Sequence, residues 1–84
     1  MLNIHYFASV RERLNKDTEQ LNLPPNVVTV ADLVSHLSTI DGEFKALNDS
    51  GSPLLVAVNQ TVADSNYKLG EDDEVAFFPP MTGG

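Results

Sequence analysis

Apolar residues alternate at the start of the chain. Leu2, Ile4 and Tyr6 fall on one face and Asn3, His5 and Phe7 on the other, the period of a half-buried strand. Ser9 followed by Glu12 has the spacing of a capping box, which predicts a short helix or helical turn from Ser9 to Leu14. Asn15-Lys16-Asp17 reads as a turn, and alternation resumes from Thr18 to Leu23 until Pro24-Pro25-Asn26 ends it. The period then changes. Thr29 and Asp32 resemble a second helix start, and Val30, Leu33, Val34, Leu37 and Ile40 recur at helical spacing as one apolar stripe. That helix should stop near Asp41-Gly42, where glycine can take the left-handed conformation of a helix end. Glu43 to Asn48 are expected to add one irregular helical turn through Phe44 and Leu47, and Asn48 to Pro53 are turn-like. Leu54 to Val58 form a short apolar strand, with a bend at Asn59-Gln60 or Gln60-Thr61 and a further short strand beginning at Val62. Gly70-Glu71-Asp72-Asp73 then turn the chain into a last strand, Glu74 to Phe78.

One main helix among four to five strands packs most simply as a mixed sheet covered on one face, an α+β architecture in the β-grasp order. The expected domain is 1–78, followed by an extended tail, 79–84. Period 2 then sorts the last strand. If Val75 and Phe77 meet the helix, Phe78 points away from it, as Phe7 does at the end of the first strand. A β-grasp sheet sets its first and last strands side by side, which brings Phe7 and Phe78 together on the open face as a candidate docking patch.

Composition narrows the function classes. The chain has 84 residues, room for one core only, with 42% apolar and 20% charged residues, an ordinary globular balance. No apolar run approaches the ~18 residues of a membrane span and the start lacks a signal pattern, so a cytoplasmic protein is expected. The net charge of −7 argues against nucleic acid and against an anionic membrane, and favours a basic protein partner. The run Glu71-Asp72-Asp73-Glu74 reads as a solvated turn, with steering of association as the functional alternative. No cysteine is present, which excludes disulfides, thiolate metal sites and a cysteine nucleophile. His5 and His36 have no second ligand at metal spacing and read as surface or structural residues. No side chain is in a recognisable acid, base or nucleophile motif.

What remains is the end of the chain, Phe77-Phe78-Pro79-Pro80-Met81-Thr82-Gly83-Gly84. Two prolines remove two backbone donors and stop a sheet at Phe78, so the following residues should project. Six residues from Pro79 to Gly84 span at most roughly 20 Å when extended, long enough to enter another protein. The glycines lack a Cβ and can pass a slot that admits only backbone, and the terminal carboxylate of Gly84 would be the reactive group.

At Val58-Asn59-Gln60-Thr61, at Gly70, and from Asp73 to Gly84, the chain resembles the small, sulfur-carrying subunit of molybdopterin synthase, a ubiquitin-like β-grasp family. Tyr6-Phe7-Ala8-Ser9-Val10-Arg11-Glu12 is similar to that family's first strand and turn, whereas Asp41 to Pro53 match no motif. The resemblance implies that Gly84 is adenylated by an ATP-dependent activating enzyme and converted to a thiocarboxylate, with no cofactor bound to the chain itself. It implies that Met81, Thr82 and Gly83 insert with Gly84 into the large catalytic subunit, where sulfur passes to cyclic pyranopterin monophosphate to build the molybdopterin dithiolene. It further implies a heterotetramer of two large and two small subunits, with Phe7, Val62, Phe78, Pro79 and Pro80 in the docking surface. The chain would be the sulfur-donating subunit of a sulfurtransferase, without catalytic side chains of its own. Carriers for thiamine or tRNA thiolation and ubiquitin-like protein modifiers share the diglycine, and remain the alternatives. The Phe-Phe-Pro-Pro lead-in favours the first reading.

Overall fold

A computed structural model describes residues 1–49 and 54–79. The elements run β1 (Leu2–Tyr6), α1 (Ala8–Leu14), β2 (Thr18–Leu21), α2 (Val30–Ile40), α3 (Gly42–Asn48), β3 (Leu55–Val58), β4 (Thr61–Val62) and β5 (Glu74–Phe78). The five strands form one mixed sheet in the order β2-β1-β5-β3-β4, the β-grasp arrangement expected from the alternation. β1 and β5 run parallel at the centre, with Ile4 opposite Val75 and Tyr6 opposite Phe77. β5 pairs antiparallel with β3 on its other side, so every backbone group of the last strand has a sheet neighbour.

The inner face of the sheet carries Leu2, Ile4, Tyr6, Val56, Val58, Val75 and Phe77, which close against Val30, Leu33 and Leu37 of α2. Phe77 lies at the middle of this core. The Phe44 ring meets it edge-on at 5.2 Å, and the Tyr6 ring stacks on it at 6.0 Å. Burying a side chain of this size contributes about 1.5–3 kcal/mol, so the inner face holds most of the stability. The Tyr6 hydroxyl donates to Glu19 at 2.7 Å, and Lys16 binds both Glu19 at 3.2 Å and Asp41 at 3.5 Å, tying β1, β2 and the α2–α3 junction together. Burial first, and then the Glu19 carboxylate, push the Tyr6 phenol well above its ordinary range.

α2 begins as its sequence predicts. Thr29 accepts from the Asp32 backbone N–H and Asp32 accepts from the Thr29 N–H, a complete capping box. These backbone bonds from Val28 and Thr29 hold the Asp32 carboxyl below the usual carboxylate range. Asn59 and Gln60 form the β3–β4 turn, with φ of 51° and 70°, the pair of left-handed residues that a two-residue hairpin requires.

Four expectations differ from the structure. Ser9 does not cap α1: the chain leaves β1 through Ala8 at φ 52°, Phe7 takes the capping position without a side-chain bond, and Ser9 lies inside the first turn. β2 stops at Leu21 rather than Leu23 because Leu21 already faces Leu2, the first residue of β1. Gly42 is not a left-handed helix end. Asp41 ends α2 in extended conformation and its carboxylate immediately caps α3 through Glu43 and Phe44, so Gly42 starts a full second helix. Ile40, expected in the apolar stripe, is exposed. At about 100° per residue it sits some 60° past Leu37 on the rim of the stripe, where the helix ends.

Candidate functional site

Among the described residues, no element covers the face of the sheet opposite the helices. Cross-strand register places Phe7, His5 and Asn3 of the β1 side, Ala76, Phe78 and Glu74 of β5, Leu55 and Ala57 of β3 and Val62 of β4 on it. This face is sorted along its length. The C-terminal ends of the parallel strands β1 and β5 bring Phe7 and Phe78 into face-to-face contact, with ring centroids 4.8 Å apart and planes 5° from parallel. Stacking at this distance is favourable and leaves the outer surfaces of both rings available. Phe7 is 41% exposed and Val62 76%, large values for apolar side chains. Phe78 is half-buried because Phe7 covers one side of it.

Beyond Phe78 the surface dips into an apolar depression of about 270 Å³ lined by Leu55, Val56, Val62 and Phe78, with no polar lining. Phe7, Phe78 and Val62 therefore lie on one continuous apolar surface. Leu55 belongs to it and was missed. Its signal was available only through register, since Leu55 lies opposite Phe78 and the choice of face for a run as uniformly apolar as Leu54 to Val58 depends on that pairing. Pro79 is half-buried at the exit of β5. Pro80, Met81, Thr82, Gly83 and Gly84 lie outside the described residues.

The opposite end of the open face is polar. Asp73 is a fixed part of the turn rather than a free charge, accepting from the Gly70 N–H at 2.7 Å and the Asn59 side-chain amide at 3.0 Å. Asn59 in turn accepts from the Glu74 N–H at 3.0 Å, so the β3–β4 turn and the start of β5 are locked together. Asp72 projects into solvent and pairs with the N-terminal ammonium at 3.3 Å. Among the described residues no three His, Asp or Glu side chains converge where a metal ion could be held. His36 sits away from this face on α2, beside Asn26, Asp32 and Thr39. The arrangement offers a partner an apolar surface with Pro79 at its edge.

The pattern of the ThiS family matches residues 4–84. The chain belongs to the ThiS family. Two relatives, each a molybdopterin synthase sulfur carrier subunit, are similar throughout: that of Escherichia coli K12 is 37% identical and that of Haemophilus influenzae 39% identical over 84 residues, covering 100% of both chains. Among solved structures, a Pyrococcus furiosus protein assigned to molybdopterin converting factor, subunit 1, superposes with a TM-score of 0.77 at 27% identity, covering 95% of this chain and 97% of that one. The fold also recurs in a complex of subunits 1 and 2 of molybdopterin-converting factor from Helicobacter pylori, with a TM-score of 0.61 at 19% identity, covering 99% and 97%. The ubiquitin-like β-grasp fold is thus shared with the sulfur carriers of this family. No helix among the described residues is long and apolar enough to cross a membrane.

Proposed function

We propose that this chain is the sulfur-carrier subunit of a molybdopterin synthase. The observation that carries the reading is the Phe7–Phe78 stack at the root of a Pro-Pro-Met-Thr-Gly-Gly end, in a chain whose full-length ThiS-family relatives are synthase sulfur carriers. A patch of apolar surface that continues into Pro79 holds the partner, and the chain end enters the partner's reaction site. The carboxylate of Gly84 is a poor electrophile. An activating enzyme that consumes ATP joins it to AMP with loss of pyrophosphate; the terminal sulfur of a persulfide then displaces AMP to give an acyl disulfide, and a second thiol attacks the donor's sulfur, forming a disulfide with it and releasing the thiocarboxylate. Sulfur in that group is a good nucleophile at neutral pH, and in the large subunit it is transferred to cyclic pyranopterin monophosphate, in two deliveries, to form the dithiolene. Gly83 and Gly84 let the chain end pass a slot only as wide as backbone. Met81, Thr82 and Pro80 set the reach, and Phe7, Val62, Phe78 and Pro79 anchor it.

Intact mass spectrometry of the purified chain tests this. After incubation with an activating enzyme, ATP and a persulfide donor, the chain should gain the mass difference of one sulfur replacing one oxygen, located at Gly84. The gain should disappear when the large subunit and cyclic pyranopterin monophosphate are added. A chain that takes up no sulfur, or that instead becomes joined through Gly84 to lysines of other proteins, would overturn the proposal in favour of a modifier.

A further inference from the structure

The Phe7–Phe78 stack gives a partner a surface to lie on, and the depression beside it gives that partner something to enter. Its lining of Leu55, Val56, Val62 and Phe78 holds no polar group, and Leu55 is 37% exposed. Register fixes where it lies. Leu55 is opposite Phe78, whereas Val62 is opposite Ala57 and so level with Ala76. The depression therefore runs back from the end of β5 towards the middle of that strand, on the side away from β1 and Phe7. Its volume is about 270 Å³. An apolar protein cavity of roughly 150 Å³ receives one benzene molecule, so a single leucine, methionine or phenylalanine side chain fits here.

Three occupants have the right chemistry. The chain's own end offers one large apolar side chain, Met81. Pro79 and Pro80 restrict φ and favour extended chain, so an end leaving Phe78 along β5 must reverse at once to bring Met81 back to the level of Val62. A second copy brings another net charge of −7 against the first. A partner that receives the chain end meets neither difficulty. Residues 80–84 reach at most about 18 Å beyond Pro79, so whatever surrounds Gly84 stands close to Phe78 and to the depression that Phe78 walls.

Resting on the carrier reading above, we propose that this depression is a socket for one large apolar side chain of the large synthase subunit, with Leu55 as a binding residue of its wall. Phe7 and Phe78 supply flat contact. The socket fixes how the partner sits on that contact, and with it the line along which the chain end enters. Leu55 touches no reacting atom; it positions the partner.

Isothermal titration of the full-length chain with the purified large synthase subunit of the same organism reads affinity, and methyl NMR of the free and bound chain reads location. Leu55→Ser removes the wall and Leu55→Trp fills the hollow, and each should weaken binding about tenfold or more. Leu55→Met, close in volume, should restore binding to near the wild-type value. Circular dichroism confirms that each variant is folded. A flat patch behaves differently: Leu55→Trp adds apolar area to it, so binding as tight as that of the wild type, or tighter, would overturn the inference. The NMR measurement needs no variant at Leu55. The Leu55 and Val62 methyl resonances of the wild-type chain should shift when the large subunit is added, and Met81→Ser should leave them unmoved in the free chain. Resonances moved by Met81→Ser would give the depression to the chain's own end, and resonances that move with chain concentration alone would give it to a second copy; either result overturns the inference. A wild-type chain that binds the large subunit while these methyls stay still overturns the inference and leaves the carrier reading standing. A wild-type chain that does not bind overturns the carrier reading itself, and the inference with it.

Discussion

Phe77 and Phe78 are neighbours in one strand and lie on opposite sides of one sheet. Phe77 is wholly buried between the rings of Tyr6 and Phe44, while Phe78 is half-buried against Phe7 on a face that no element among the described residues covers. The same residue type thus serves two ends. On the inner face an aromatic ring removes water from the core; on the outer face it keeps a surface that gains from losing water only when another protein arrives. The lesson is that apolar content does not measure stability in this fold. Of the four central rings, Tyr6 and Phe77 close the core while Phe7 and Phe78 lie on the open face.

The strongest way to break this division is at the chain end. Deleting Gly84 should abolish sulfur loading, read by intact mass, while leaving the melting temperature unchanged. A deletion variant that melts earlier would show that the end contributes to the fold. Next comes Phe77→Ala, which should cost about 3–5 kcal/mol in urea unfolding, because both aromatic contacts and a buried volume are lost together. Phe78→Ala should do the reverse, sparing most stability and weakening binding to the large subunit by more than about 1 kcal/mol. Equal losses of stability in the two variants would erase the distinction between the faces. The smallest effect concerns Tyr6. Its phenol is held protonated in the fold and titrates freely once unfolded, so its contribution is intact below the ordinary tyrosine range and is lost as pH rises. Above about pH 10, wild-type stability should therefore drop towards that of Tyr6→Phe, with the gap between their denaturation midpoints narrowing.

Much of this was legible from pattern alone. The stripe from Val30 to Leu37 and the Thr29–Asp32 box located α2, because local periodicity and local hydrogen bonding agree there. The pairing of Phe7 with Phe78 followed from period 2 once the first and last strands were set side by side. Features that depend on distant partners were not legible. Where β2 ends is decided by the start of β1, and Leu55 joins the docking patch through its register with Phe78. Val27 and Leu69 are core residues supplied by irregular segments, joined by the Leu69 N–H donating to the Val28 carbonyl at 2.8 Å, and no periodicity marks them. The left-handed Ala8 replaced the expected Ser9 cap, since an alanine announces no such conformation. On the open face, period 2 marked Phe7 and Phe78 and the family resemblance added Val62, while the stacking of His5 on Phe7 shows only once the rings are placed.

The parallel pairing of β1 with β5 has a consequence for biosynthesis. The two central strands are the earliest and the latest to be made, so a nascent chain that has not yet released β5 has a gap in the middle of its sheet, with the edges of β1 and β3 unpaired and Phe7 without its companion. Such a chain has neither a core closed by Phe77 nor a surface that a partner would recognise. Completion of the fold and assembly of the Phe7–Phe78 surface therefore coincide. An unfinished chain therefore cannot display the paired rings that the finished sheet holds together.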